Sequence, residues 1–397
     1  MDYDFTTVPR REGLGSEKWE SMLEDQPGLD PDVVPLSVAD MEFVEAPEIR
    51  DALVRYAQEA VLGYTVPTDG YFEAVLGWQA RRHGWTPDRD WVVTSPGVVP
   101  ALFAAVHALT SPGDGIIIQP PVYYPFRLAI EENDRAVVEN PLRLVDGIRY
   151  EFDLDDLAAK AALPSTRMLI LCSPHNPVGR VWGADELRAV CDICLENDVF
   201  IVCDEIHDDL IMPGHAHTTL MNVLDASERN RCMVATAPSK TFNLAGLQCS
   251  NTFVPDPEVR KALVSDFERS ASIELNTFAY PGAIAAYTSC EAWLDQLIGV
   301  IEANHALCER FFSRRLPQSH AFELEGTYLQ WVDLRCLGMD QAALERFMRN
   351  EARLYLDEGY VFGSQGAGFE RINLAAPSSV IQASLERLAV ALDGAGL

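Results

Sequence analysis

The chain has 397 residues, 48% of them hydrophobic, and a formal net charge of −29. That length exceeds one small core and predicts two domains of unequal size, while the apolar content excludes global disorder. The negative balance argues against nucleic acid and against anionic membrane surfaces as partners, and its plain meaning is solubility. No stretch reaches the uninterrupted apolar length of a membrane span. The start Met1-Asp2-Tyr3-Asp4-Phe5 lacks the basic and apolar regions of a secretory signal. The nine cysteines are an odd and scattered set, and Cys172 and Cys203 sit inside apolar runs. That is the pattern of reduced, buried cysteines in a cytoplasmic protein.

In chain order, the segment before residue 46 is rich in proline and charge. Ala46-Pro47-Glu48-Ile49 reads as a helix start, with proline in the first turn and a carboxylate beside it. Trp91-Val92-Val93-Thr94 predicts a strand. Ser95-Pro96-Gly97 then turns into an apolar helix from Val98 to Val106. Further continuous apolar strands are predicted at 115–119, 168–172, 199–203 and 232–235. Continuous rather than alternating apolar strands, spaced by helical segments, imply a parallel sheet covered on both faces, hence α/β architecture. From about residue 286 the pattern changes to a long amphipathic helix over 293–316. Alternating strands at 328–334 and 371–374 follow, and a closing helix at 379–392. The expected division is a large α/β domain over 46–285. Residues 1–45 and 286–397 form a smaller α+β domain.

Four lysines occur in the chain: Lys18, Lys160, Lys240 and Lys261. Lys240 follows the strand at 232–235 in Ala237-Pro238-Ser239-Lys240-Thr241-Phe242. A lysine can form an imine once its pKa is pulled down; an arginine cannot. Asp204 follows the strand at 199–203, with His207 three residues on. Asn176 lies in Ser173-Pro174-His175-Asn176-Pro177-Val178-Gly179, after the strand at 168–172. Ligands of open parallel sheets bind beyond the carboxyl ends of strands. Three consecutive strand ends thus carry an amide, an acid with an imidazole, and an amine. A lone aspartate at such a place equally suits a helix cap or an ion pair.

The spans Ser-Pro-His-Asn-Pro-Val-Gly-Arg-Val-Trp (173–182), Asp-Glu-Ile-His-Asp-Asp-Leu (204–210) and Ser-Lys-Thr-Phe-Asn-Leu-Ala-Gly-Leu (239–247) resemble the pyridoxal-phosphate enzymes of fold type I. Within the class I/II aminotransferase superfamily they are most similar to the cystathionine β-lyase, or C–S lyase, branch. The likeness covers nearly the whole chain, including 35–43, 63–65, 325–329 and 368–373. It implies pyridoxal 5′-phosphate as cofactor and a β-elimination that turns cystathionine or a related cysteine S-conjugate into a thiol, pyruvate and ammonia. An aminotransferase on the same scaffold is the alternative, since Lys240, Asp204 and Arg371 serve both reactions. A binding protein that keeps the fold and cofactor is a third reading, against which the intact Lys240 argues.

The resemblance also implies roles. Lys240 would bond the cofactor aldehyde and carry the Cα proton, and Asp204 would keep the pyridine nitrogen protonated. Asn176 would bond the ring hydroxyl, and His207 stands where many aminotransferases have tyrosine. Tyr123 would stack on the ring, with its neighbour Tyr124 as a competing choice. Gly97, Val98 and Val99, at a helix start, and the Ser239 hydroxyl would hold the phosphate. Tyr64 would reach the phosphate of a partner subunit, implying a homodimer with shared sites. Arg371 would fork the carboxylate of a small amino-acid substrate; its plain alternative is an ion pair with Glu370. Two features depart from the family pattern. Gln248 replaces an arginine common near the phosphate, and Ser37 and Glu42 replace the usual tryptophan and aspartate.

Other patterns carry less. Cys191 and Cys194 have redox or zinc spacing but lie in a helical stretch, where two small apolar residues share one face. His215 and His217 lack an evident third metal ligand. Gly363, Gly366 and Gly368 do not match dinucleotide-loop spacing. Asp153, Asp155 and Asp156 read as a helix start rather than a calcium loop.

Overall fold

The computed structural model describes residues 2–30, 32–270 and 274–397. Met1 and Pro31 of the N-terminal segment, and residues 271–273 near the end of the expected large domain, lie outside the described residues. The larger sheet has seven strands. Their spatial order is Val92–Ser95, Ser250–Phe253, Cys232–Thr236, Phe200–Asp204, Thr166–Cys172, Gly115–Ile118 and Ala136–Glu139. Every neighbouring pair is parallel except those made by Ser250–Phe253, which runs antiparallel to both of its neighbours.

The continuous apolar runs have the expected cause. Successive strand residues point to opposite faces. Ile117, Leu169, Leu171, Ile201, Cys203 and Val234 pack into one apolar cluster, and Ile116, Met168, Ile170, Val202 and Met233 into another. Both faces are therefore buried, and neither can afford a polar row. The antiparallel strand was invisible to this logic. Ser250, Asn251 and Thr252 are polar yet buried, so no apolar run marked it.

The second sheet is antiparallel throughout, in the order His320–Ala321, Leu329–Asp333, Phe369–Asn373, Asp357–Glu358. The long helix Glu291–Arg315 and the final helix Ser378–Ala395 pack against each other beside it. The N-terminal segment bonds to this sheet and to the residues beside it. Leu36 N–H donates to Tyr355 O at 2.8 Å, Asn373 N–H to Leu36 O at 2.9 Å, and Glu42 N–H to Ala375 O at 2.8 Å. Residues 36–42 thus form a strap along the small sheet.

Two of the weaker motifs resolve simply. Cys191 and Cys194 are buried on the helix Ala184–Glu196, and Asp153 caps the helix Leu154–Ala161 by accepting from the Asp156 N–H. Among the described residues no helix is long and apolar enough to cross a membrane.

Glycine has opposite meanings at two positions. At Gly359 a Cβ would collide with the carbonyls of Gly366 and Phe369. At Gly299, exposed in the middle of Glu291–Arg315, a Cβ would meet nothing within 4 Å. Gly359→Ala is expected to cost about 3 kcal/mol or more by overpacking. Gly299→Ala is expected to add about 0.5–1 kcal/mol by removing backbone freedom from the unfolded chain. Urea-denaturation midpoints of the two variants against the parent check both signs.

Candidate active site

The strands Thr166–Cys172, Phe200–Asp204 and Cys232–Thr236 are immediate neighbours, with Cys172 opposite Asp204 and Asp204 opposite Ala235. Asp204 is the last residue of its strand rather than the first beyond it. The chain leaves each strand at the same edge of the sheet. The amide, acid and amine expected there meet in one pocket. Lys240, Asp204, Asn176, His207, Tyr123, Ser239, Gly97, Val98 and Val99 all line it. The pocket encloses about 740 Å³ of space free of protein atoms, part of it open to solvent.

Lys240 sits on a four-residue helix, Pro238–Thr241, directly after its strand. Its Nζ donates to the Ala39 carbonyl at 2.6 Å. Burial lowers the ammonium pKa to about 8; Asp40 and Asp204 partly offset this, and the positive charges of Arg371 and Lys18 add to it. Near neutral pH a useful fraction of the amine is therefore free base. Asp204 moves the other way. Burial raises its carboxyl to about 7, restrained by the Ile206 N–H donating to Oδ1 at 3.0 Å and by the Lys240 charge. A carboxyl poised there binds a proton-bearing ligand nitrogen and gains charge as it does so.

His207 is buried and held neutral by burial, with the charges of Lys240 and Arg371 acting in the same direction. Its ring meets Tyr328 edge-on at 5.8 Å, and its Nδ1 is buried without a hydrogen-bond partner among the described residues. Tyr123 lines the pocket and burial pushes its phenol up, whereas Tyr124 is 47% exposed and does not line it.

Arg371 is buried in the strand Phe369–Asn373 and reaches the site through Asn176, whose Oδ1 accepts from Nη1 at 2.8 Å. Its other nitrogens pair with Asp357, Nη2 at 2.5 Å and Nε at 3.2 Å. The ion pair weighed with Glu370 does not form. Adjacent strand residues face opposite ways, and Glu370 is buried on the far side, pushed well above the usual carboxylate range by burial. Asp357 is the true partner because the strand register places it opposite Arg371.

Gly97 precedes the twelve-residue helix Val98–Leu109. The helix start, Ser239 and Gln248 line the same pocket. The N-terminus of such a helix presents free N–H groups to an anion. Tyr64 is elsewhere, 97% exposed beside the exposed Val61, Leu62 and Val66. His215 and His217 do not meet as a pair; they bond Glu323 and Glu205 respectively.

Sequence reasoning missed three parts of the site. The Ala39 carbonyl also accepts from the Tyr328 hydroxyl at 2.8 Å. The strap that carries it is pinned by Lys18, whose buried Nζ lies 2.8 Å from both Asp40 and Glu42 carboxylates. Arg11 bridges the same two acids at 2.7 Å each. Glu42, a departure from the family pattern, is thus the buried centre of an ion cluster. The third is Asp357.

A buried amine, an acid near pH 7, an orphaned imidazole nitrogen, an aromatic wall and an anion-ready helix start fit a flat, phosphorylated heteroaromatic aldehyde. Comparison with known proteins agrees. Residues 31–392 match the family described as aminotransferase class I and II. The cystathionine beta-lyase PatB of Bacillus subtilis is 39% identical over 98% of this chain and 100% of its own length. The protein MalY of Escherichia coli is 30% identical over 96% of each. The crystal structure of cystalysin from Treponema denticola, which contains pyridoxal 5′-phosphate, superposes with a TM-score of 0.98 at 46% identity over 100% of both chains. The chain belongs to the class I and II aminotransferase family, with the fold type I architecture of its pyridoxal-phosphate enzymes.

Proposed function

We propose that the chain cleaves cystathionine or a related cysteine S-conjugate by β-elimination, releasing a thiol, pyruvate and ammonia, with Lys240 as the base. Pyridoxal 5′-phosphate is its cofactor and C–S lysis its reaction class. The observation that carries the role of Lys240 is a buried amine that lines one pocket with Asp204, its pKa lowered by burial to about 8.

When bound, the cofactor withdraws electrons from the substrate's α-carbon and so makes its proton removable. The chain does the rest. Lys240 would hold the cofactor through its aldehyde and would take the substrate's Cα proton. Asp204 holds the proton on the cofactor's ring nitrogen. Asn176 donates to the ring oxygen, while its Oδ1 steadies Arg371. Arg371, braced by Asp357, forks the substrate carboxylate. Tyr123 covers the ring, and His207 packs beside it with its free Nδ1. Gly97, Val98, Val99 and Ser239 hold the phosphate through N–H and hydroxyl donors. The thiolate is a good leaving group, so orientation and a removable proton are most of what the protein must supply.

The reading extends to a cytoplasmic homodimer in which Tyr64 reaches the partner's phosphate. The exposed apolar run around Tyr64 and the unpaired, mostly buried cysteines support it. The division into a large domain over 46–285 and a small one from 1–45 and 286–397 belongs to the same proposal. The two separate sheets support it.

With L-cystathionine as substrate, pyruvate should appear in step with thiol. Amino transfer to a keto acid without pyruvate would instead establish the aminotransferase alternative. Arg371→Ala should lower kcat/KM by about 10–100-fold, the worth of a charge-assisted carboxylate contact, chiefly through KM. The pH dependence has a definite sign. Capture of the cofactor needs the neutral amine, so its rate in the apo-protein should rise with pH, with a midpoint near the lysine value of about 8. Stopped-flow absorbance reads it, and Lys240→Ala should abolish the visible band.

A further inference from the structure

A four-residue helix has no stability of its own. The position of Pro238–Thr241, and so of Lys240, is set by what grips it. One grip is Asn243, whose Oδ1 accepts from Met41 N–H at 2.9 Å and whose Nδ2 donates to Met41 O at 3.2 Å and Phe43 O at 3.1 Å. The other is Asp209, buried five residues beyond Asp204. Its Oδ2 accepts from the Thr241 hydroxyl at 2.8 Å. Its Oδ1 accepts from Trp78 Nε1 at 3.0 Å and from His83 Nε2 at 3.0 Å. Trp78 and His83 both belong to the helix Asp69–His83.

We propose that Asp209 is a positioning residue for Lys240: backed by Trp78 and His83, its carboxylate grips Thr241 and fixes the lysine segment against the segment that carries Asp204.

The charges around it are consistent with a fixed clamp. Burial disfavours a charged His83, yet the charges of Asp208 and Asp209 push its pKa up to about 9. Burial, reinforced by the Asp209 charge, pushes Asp208 well above the usual carboxylate range. Burial would raise Asp209 too, but bonds from His83 and Thr241 hold it below its ordinary value. The neighbours thus push His83 toward its charged form and Asp209 toward its carboxylate, giving a buried pair of opposite charge. Such a pair is a poor source of net stability, and fixing geometry is its better-attested use. His83, Asp208 and Asp209 bring ligand atoms within 4.8 Å of one another, as a cation site would. Both Asp209 oxygens already accept hydrogens from Trp78, His83 and Thr241, which is what a clamp requires.

This inference rests on Lys240 being the cofactor lysine. Thr241→Val cuts the grip and leaves the bonds among Asp209, His83 and Trp78 in place; Thr241→Ser restores the hydroxyl. Two readouts need no turnover: the pH midpoint of visible absorbance in the cofactor-loaded protein, and the rate of cofactor capture by the apo-protein. Thr241→Val is expected to move the midpoint by about half a pH unit or more and to slow capture about threefold or more, because small misplacements of a reacting group are costly. Thr241→Ser is expected to return both to the parent values, and Asp209→Asn to shift them as Thr241→Val does. Should Asp209→Asn fail to fold, Thr241→Val decides alone. Parent-like midpoint and capture rate in Thr241→Val, whatever its melting temperature, overturn the inference and leave Thr241 as a stability contact. A parent protein that captures no cofactor overturns the reading of Lys240, and this one with it.

Discussion

A primary amine held out of water, with a carbonyl to lean on and a carboxyl across the pocket, is the constraint around which this chain is organised. Desolvation alone would leave the amine neutral and loosely placed; a full ion pair would leave it charged and inert. The structure sits between these. Ala39 offers a neutral acceptor at 2.6 Å, and the formal charges of Asp204, Asp40, Arg371 and Lys18 act from further off. Apart from the neighbours Ala39 and Asp40, those groups come from different stretches of chain. Their convergence explains why two sheets and a strap are needed for one nitrogen.

Surface and site obey different electrostatics. The chain carries a net charge of −29, yet the pocket and its surroundings gather Lys240, Arg371, Lys18 and Arg11. The last three are matched by carboxylates in direct contact: Asp357 for Arg371, and Asp40 and Glu42 for the other two. Of the four, Lys240 alone has no contacting carboxylate, and it is the group to which the proposed function assigns proton transfer. The acidic exterior tells nothing of this, because overall charge governs solubility and encounter while pairing at a few ångströms governs chemistry.

The legible parts were those where polar residues stand at the ends of unbroken apolar runs. Lys240, Asp204 and Asn176 follow unbroken apolar runs, and those runs had to be strands because both sheet faces are covered. The illegible parts depend on atoms or pairings without a sequence signature. The Ala39 carbonyl is backbone. Asp357 becomes the partner of Arg371 through the register of an edge strand, which the sequence of Asp357-Glu358 does not announce. Lys18 carried no motif of its own, and its burial follows from a strap that folds back over it. The polar strand Ser250–Phe253 escaped because its burial comes from neighbours, not from its own hydrophobicity. His83 lies far from every motif, and Asp209 was quoted within one without a task.

The strap has a further consequence, in the order of events during synthesis. Residues 38 and 40 are among the first to be made, but the side chain that holds their carbonyls is Asn373, whose Nδ2 bonds Val38 O across a separation of 335 residues. Glu42 likewise waits for Ala375. The strands that bear Asp204 and Lys240 can pair long before that. Lys18, Arg11 and Asn243 can hold the strap early, but its seam with the small sheet can close only when residues 373–375 have emerged.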